Sequence, residues 1–81
     1  MSSGGFSRYE EVSLSNKASK TLQGSGFIMF YGPAAMYTSS NQEIYYYSAV
    51  NWMDFLIPFI SGNIIKNTNS NYTSKFKIWY I

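Results

Sequence analysis

Apolar and polar residues alternate most clearly at the end of the chain. From Lys75 to Ile81, Phe76, Ile78 and Tyr80 fall on one face and Lys75, Lys77 and Trp79 on the other. That is the period-two pattern of a half-buried strand. Arg8 to Leu14 also reads as a strand, with Val12 and Leu14 pointing one way and Glu11 and Ser13 the other. Thr21-Leu22 predicts a second, short strand. Phe27 to Tyr31 is a continuous apolar run of strand length, suited to a pleated surface covered on both faces. Gly32-Pro33 ends it, because proline has no N–H to give to a ladder. Ala34 to Tyr37 is a weaker strand signal. Glu43 to Ser48 is a stronger one, with Tyr45 and Tyr47 on one face and Ile44 and Tyr46 on the other. Ile64-Ile65 is another short strand piece.

Polar or glycine-containing segments separate these runs: Ser15 to Lys20, Gly24-Ser25-Gly26, Thr38 to Gln42, Ser61-Gly62-Asn63 and Lys66 to Ser70. Asn51 to Ile60 has two readings. A helix would gather Asn51, Asp54 and Pro58 on one polar side, but Pro58 would break it after one or two turns. Two short strands meeting near Asp54 need only a turn or bulge, and this reading is preferred. No segment shows helix caps with a sustained 3.6-residue period. Some six to eight short strands, spaced about 8–12 residues apart, predict an all-β fold. The expected architecture is a small antiparallel β-sandwich or jelly-roll-like domain over residues 10–81. Residues 1–9 form a flexible N-terminal arm ahead of it, and the small residues of 1–7 (MSSGGFS) are its mobile part.

Composition sharpens this picture. Charged residues are only 12% of the 81, about half the usual share, while aromatics reach 20%. The absence of Cys and His excludes a disulfide scaffold, zinc-finger chemistry, a thiol nucleophile and any imidazole-based triad. A chain this short buries only about 60–65% of its unfolded surface, so its stability margin is thin. With neither disulfides nor the usual metal ligands, oligomerisation or docking on a larger body is the remaining common remedy. Few charges and many Tyr, Trp, Phe and Met suit an interface core.

The net charge is +2. The one local basic cluster, Lys75 and Lys77, reads as the solvated face of a strand rather than a nucleic-acid footprint. MSSGGFSRYEEVSL lacks the apolar core of a signal peptide, and Ser2 departs from the myristoylation pattern. Trp52 to Ile65 is too short and too interrupted to span a membrane. Asn71-Tyr72-Thr73 matches a glycosylation sequon, which chance explains in a chain rich in Asn and Thr. Neither nucleic acid nor membrane is an expected partner.

Catalytic chemistry has little to work with. Glu10 and Glu11 are adjacent and point to opposite faces of a strand, and nothing in the sequence brings Glu43 and Asp54 together. Gly24-Ser25-Gly26 lacks the Lys and Ser/Thr of a phosphate loop, and reads as a hairpin hinge or a tight approach of two strands. No catalytic residue, cofactor or metal is expected, and an enzyme is not the leading reading. The aromatic rings are the unusual resource. They serve as core first, subunit interface second and ligand platform third. Tyr45, Tyr47, Trp52, Phe55 and Trp79 are the candidate contact residues, joined by Phe6 and Tyr9 on an arm that orders on docking.

Residues 22–81 resemble the small all-β structural proteins of tailed bacteriophages. The points of likeness are Gly24-Ser25-Gly26 leading into an apolar strand, the segment Phe55-Leu56-Ile57-Pro58-Phe59, and the polar run before the Lys-flanked ending KFKIWYI. The resemblance implies a β-sandwich at a capsid surface or in a head or tail fibre, assembled as trimers or higher rings. The expected function is a virion structural protein that self-associates, with a trimer favoured, and docks on a larger shell or tail protein. A carbohydrate-binding module or adhesin using exposed Tyr, Trp and Asn amides is the alternative, with a glycan as its partner. Behind these stand an oligonucleotide-binding barrel using Lys75 and Lys77, and a membrane-associated subunit held by residues 52–65.

Overall fold

A computed structural model describes residues 7–81, and among them are eight strands and no helix. The strands are β1 (Arg8–Leu14), β2 (Ser19–Thr21), β3 (Gly26–Tyr31), β4 (Ala34–Tyr37), β5 (Glu43–Tyr47), β6 (Ile57–Phe59), β7 (Ile64–Asn67) and β8 (Ser74–Tyr80). Phe6 and the rest of residues 1–6 lie outside the described residues.

Pairing follows one rule. The first strand pairs with the last, β2 with β7, β3 with β6 and β4 with β5, all antiparallel. A long two-stranded ribbon folded over on itself has this pattern. Further pairing of β3 with β8 and of β4 with β7 completes two four-stranded sheets. Their orders are β1-β8-β3-β6 and β2-β7-β4-β5. Every connection except β4–β5 passes from one sheet to the other, which makes the fold a small jelly roll.

The alternation in the sequence places the core. Phe76, Ile78 and Tyr80 of β8 point inward with Ile28 and Phe30 of β3, and meet Met36 and Ile65 of the second sheet. Phe30 is the hub. Its ring lies edge-on to Phe76 at 5.2 Å and reaches Tyr45 at 5.6 Å and Tyr47 at 6.4 Å across the sandwich. Such edge-to-face pairs add about 0.5–1.5 kcal/mol each beyond the area they bury.

Two glycines are fixed by geometry. A Cβ on Gly26 would lie 1.9 Å from the Trp79 carbonyl oxygen, so this position is the tight approach of two strands. Gly32, at φ +92°, turns the chain from β3 in one sheet to β4 in the other. Ser74 Oγ donates a hydrogen bond to the Pro33 carbonyl and locks that corner.

Residues 51–60 contain no helix. Trp52 bridges to Tyr31, and Ile57 pairs with Ile28. Met29 and Phe30 thus face four residues, Met53 to Leu56, so the edge carries two extra residues around Asp54–Leu56. This is a bulge between the single bridge at Trp52 and β6, so one of the two expected short strands forms and the other is reduced to that bridge. Pro58 sits on β6, an edge strand, where its missing N–H costs no ladder bond.

The boundary of the N-terminal arm needs correction. Arg8 and Tyr9 belong to β1, opposite Tyr80 and Trp79, and do not wait for a partner to order them. The Arg8 guanidinium covers the Tyr80 ring at 3.7 Å and donates to the Gln23 carbonyl at 3.1 Å. These contacts extend the strand back to residue 8.

Candidate functional site

The register of the first sheet brings its outward side chains together in rows. Tyr9, Trp79, Phe27 and Pro58 form one row across β1, β8, β3 and β6. Glu11, Lys77 and Met29 form the next. Ser13, Lys75 and Tyr31 form the third, extended by Trp52 through its bridge to Tyr31. Both tryptophans of the chain therefore lie on this one face.

Ring contacts bind the rows into a surface. Tyr9 packs on Trp79 with centroids 5.0 Å apart, and Tyr31 packs on Trp52 at 5.2 Å. The Lys77 ammonium lies 4.5 Å from the centre of the Trp52 ring, and Lys75 lies 5.4 Å from that of Tyr31. Each is a cation–π contact, worth roughly 0.5–1 kcal/mol at an exposed site. The two lysines thus cover rings while keeping their charge at the surface.

Tyr9 donates a hydrogen bond to Glu11 Oε2 at 2.6 Å. That bond, then packing and the nearby carboxylate charge, pushes the Tyr9 phenol up to about 12. Two other phenols are raised. Burial and then the Glu10 carboxylate raise Tyr80, against an opposing pull from Arg8. Packing, followed by Asp54 and Tyr45, raises Tyr47, whose hydroxyl donates to Asn51.

The candidate contact residues divide into three groups. Tyr9, Trp52 and Trp79 are brought together on the outer face. Phe55 is 55% exposed at the crest of the edge bulge. Tyr45 and Tyr47 are the correction: they turn inward and pack against the core around Phe30. Inter-sheet packing decides this, because the pleat that points them at Phe30 turns Ile44 and Tyr46 outward. Tyr46 is 55% exposed and Ile44 48%.

Phe27, Met29 and Tyr31, all half-buried and Met29 also packed against the core, are outward-row residues that the sequence did not single out. Their apolar run shows no polar alternation, so the sequence of β3 alone cannot say which face is outward. The usable signal lay on the neighbouring strand, where Lys75, Lys77 and Trp79 share the face opposite to Phe76 and Ile78.

No ligand-sized cavity opens among the described residues, and no three acidic side chains gather there to hold a metal ion. What the face offers is an amphipathic surface of aromatic rings and lysines. No helix among the described residues is long and apolar enough to cross a membrane. The chain matches no protein-family model, no curated protein and no solved structure.

Proposed function

We propose that this chain is a non-enzymatic structural protein of a virus particle, and of a phage by the resemblance of residues 22–81. It associates with copies of itself and docks on a larger shell or tail protein through the outer face of its first sheet. One observation carries the reading: Tyr9, Trp79, Phe27, Met29, Tyr31 and Trp52 share one outer face. Aromatic residues and Met are enriched where protein surfaces meet. An interface of standard size needs about 800 Å² on each partner, and repetition on a symmetric lattice adds avidity to each contact.

Jelly rolls serve in viral capsids and in lectins, so the fold alone favours neither reading. The lysines weigh against the glycan alternative. A sugar stacks on a bare ring, whereas Lys77 and Lys75 already lie over Trp52 and Tyr31. A protein partner with carboxylates facing those lysines can use both the rings and the charges.

Quantitative mass spectrometry of purified virus particles from the source tests the reading. The expected result is this chain at a fixed ratio to the main shell protein. Presence in the lysate and absence from the particles would contradict it.

A further inference from the structure

The charges are divided between the two halves of the sandwich. Edge strands β5 and β6 lie on one side of it, since residues 48–51 alone carry the chain from Tyr47 at the edge of one sheet to Trp52 at the edge of the other. Strands β3 to β6 therefore make one half, and β1, β8, β2 and β7 the other. All six basic side chains, Arg8, Lys17, Lys20, Lys66, Lys75 and Lys77, lie on or beside the strands of the second half. Residues 21–65, which contain the whole first half, include no Lys or Arg and carry only Glu43 and Asp54. The same half holds most of the exposed large apolar side chains among the described residues. Ile44, Tyr46, Val50, Phe55, Leu56 and Ile60 are between 39% and 66% exposed. Residues 54–56, the crest of the bulge, set a carboxylate and two of these apolar side chains next to each other in solvent.

We infer that the bulge of one copy docks on the outer face of the first sheet of the next, with Asp54 against Lys75 and Lys77, and Phe55 and Leu56 against the rings of Tyr9 and Trp79. This rests on the self-association through that face proposed above and names what the face receives. Charge selects the bulge. Copies joined face to face would bring two pairs of lysines into one contact, whereas the bulge brings a carboxylate to them. The edges formed by β1 and β2 are poor substitutes, because Arg8 lies on one and Lys20 on the other. The lysines are also held in place, since Lys77 lies over Trp52 and Lys75 over Tyr31. The ion pairs orient the approach, and the apolar side chains supply the burial. The contact joins unlike patches, so each copy keeps one patch open until a ring closes. An edge and a face of one sheet look out in perpendicular directions, so each contact rotates the next copy by about a quarter-turn or more and closes a ring at about three or four copies.

Light scattering during size-exclusion chromatography tests this on the full chain, on Asp54→Lys, on Lys77→Glu and on the two combined. The wild type is expected above twice the chain mass. Each single substitution sets like charges against each other and weakens the contact roughly tenfold or more, leaving a monomer. The two together exchange the charges and restore the assembly. An equimolar mixture of the two single variants also associates, because the unaltered face of one receives the unaltered bulge of the other. Single variants that are monomeric and recover neither in combination nor in mixture would overturn the contact. An oligomer that survives Asp54→Lys and dissociates in Trp79→Ala would overturn the role of the bulge and leave self-association through the face standing. A wild type that is monomeric at every concentration would overturn both.

Discussion

The Phe30 amide donates to the Met53 sulfur at 3.3 Å, while the Met53 amide donates to the Phe30 carbonyl at 3.0 Å. The second bond is an ordinary ladder bond and the first is a substitute. The two extra residues at Asp54–Leu56 carry the backbone away from β3, and the thioether fills the place of the missing carbonyl. Thioether sulfur is a weak acceptor, but Phe30 is fully buried and its N–H has no route to water. Met53 is thus what permits the bulge beside the hub of the core.

Met53→Leu keeps the volume and removes the acceptor. The Phe30 N–H is then buried without a partner, which costs about 1–3 kcal/mol. Urea denaturation should show a lower midpoint with an unchanged slope, and the Phe30 amide should exchange faster with solvent. An unchanged midpoint would mean that the sulfur contributes nothing.

Gly26→Ala sets a methyl group against the Trp79 carbonyl, a backbone atom that cannot rotate aside. β3 and β8 must separate where the two sit side by side at the centre of the first sheet. The expected loss is about 3 kcal/mol, a large part of the stability of so small a domain. Thermal melting followed by circular dichroism reads this directly. An unchanged melting temperature in Gly26→Ala would mean that the two strands lie farther apart than described.

Asn67 is wholly buried on β7 and holds the loop that follows it. Its Nδ2 donates to the carbonyls of Leu14 at 2.9 Å and Tyr72 at 2.7 Å, and its Oδ1 accepts from the Asn69 amide at 2.8 Å. Asn67→Leu removes all three partners at once, at an expected cost of about 2–4 kcal/mol. Asn67→Asp retains the acceptor for Asn69 but turns a carboxylate on two carbonyls, so it should also destabilise, and less at low pH where the acid is neutral. Thermal melts of both variants at neutral and acidic pH check the pair.

Tyr9 supplies the pH prediction. Its phenol is raised from 10.0 to about 12 by the bond to Glu11. Below pH 10 the phenol is protonated in both folded and unfolded chains, and its contribution is fully present. Above that the unfolded chain loses the proton first, so stability declines as pH rises from about 10 through 12. Absorbance titration of the phenols should show Tyr9 among the late groups with Tyr47 and Tyr80, and Tyr9 alone should move down toward 10 in Glu11→Gln. A titration indifferent to that substitution would place the cause elsewhere.

Strand positions were legible wherever one face differed chemically from the other. β8 and β1 announce themselves because lysines or glutamates alternate with core residues. The weak segment Ala34 to Tyr37 is β4, whose Ala35 is outward yet wholly covered, so no polar residue marks its outer side. The direction of Tyr45 and Tyr47 was not legible for a related reason. In Tyr45-Tyr46-Tyr47 both faces carry the same side chain, and the choice is made by Phe30, distant in sequence and in the other sheet. The bulge at Asp54 was legible in outline, since Pro58 rules out a helix, but the role of Met53 depends on a register that only the folded sheet defines. The outer aromatic face is a property of three strands in register, and no single segment of the sequence contains it.

Tryptophan fluorescence tests the docking claim most directly, because Trp52 and Trp79 are the only two tryptophans and both lie on the proposed face. The measurement adds the protein to particles of its own source from which it has been stripped. The account predicts a blue shift of the emission and protection from iodide quenching that saturate at a fixed number of copies per particle. Binding to the particles with the spectrum and quenching of the free protein would contradict it, as would no binding at all.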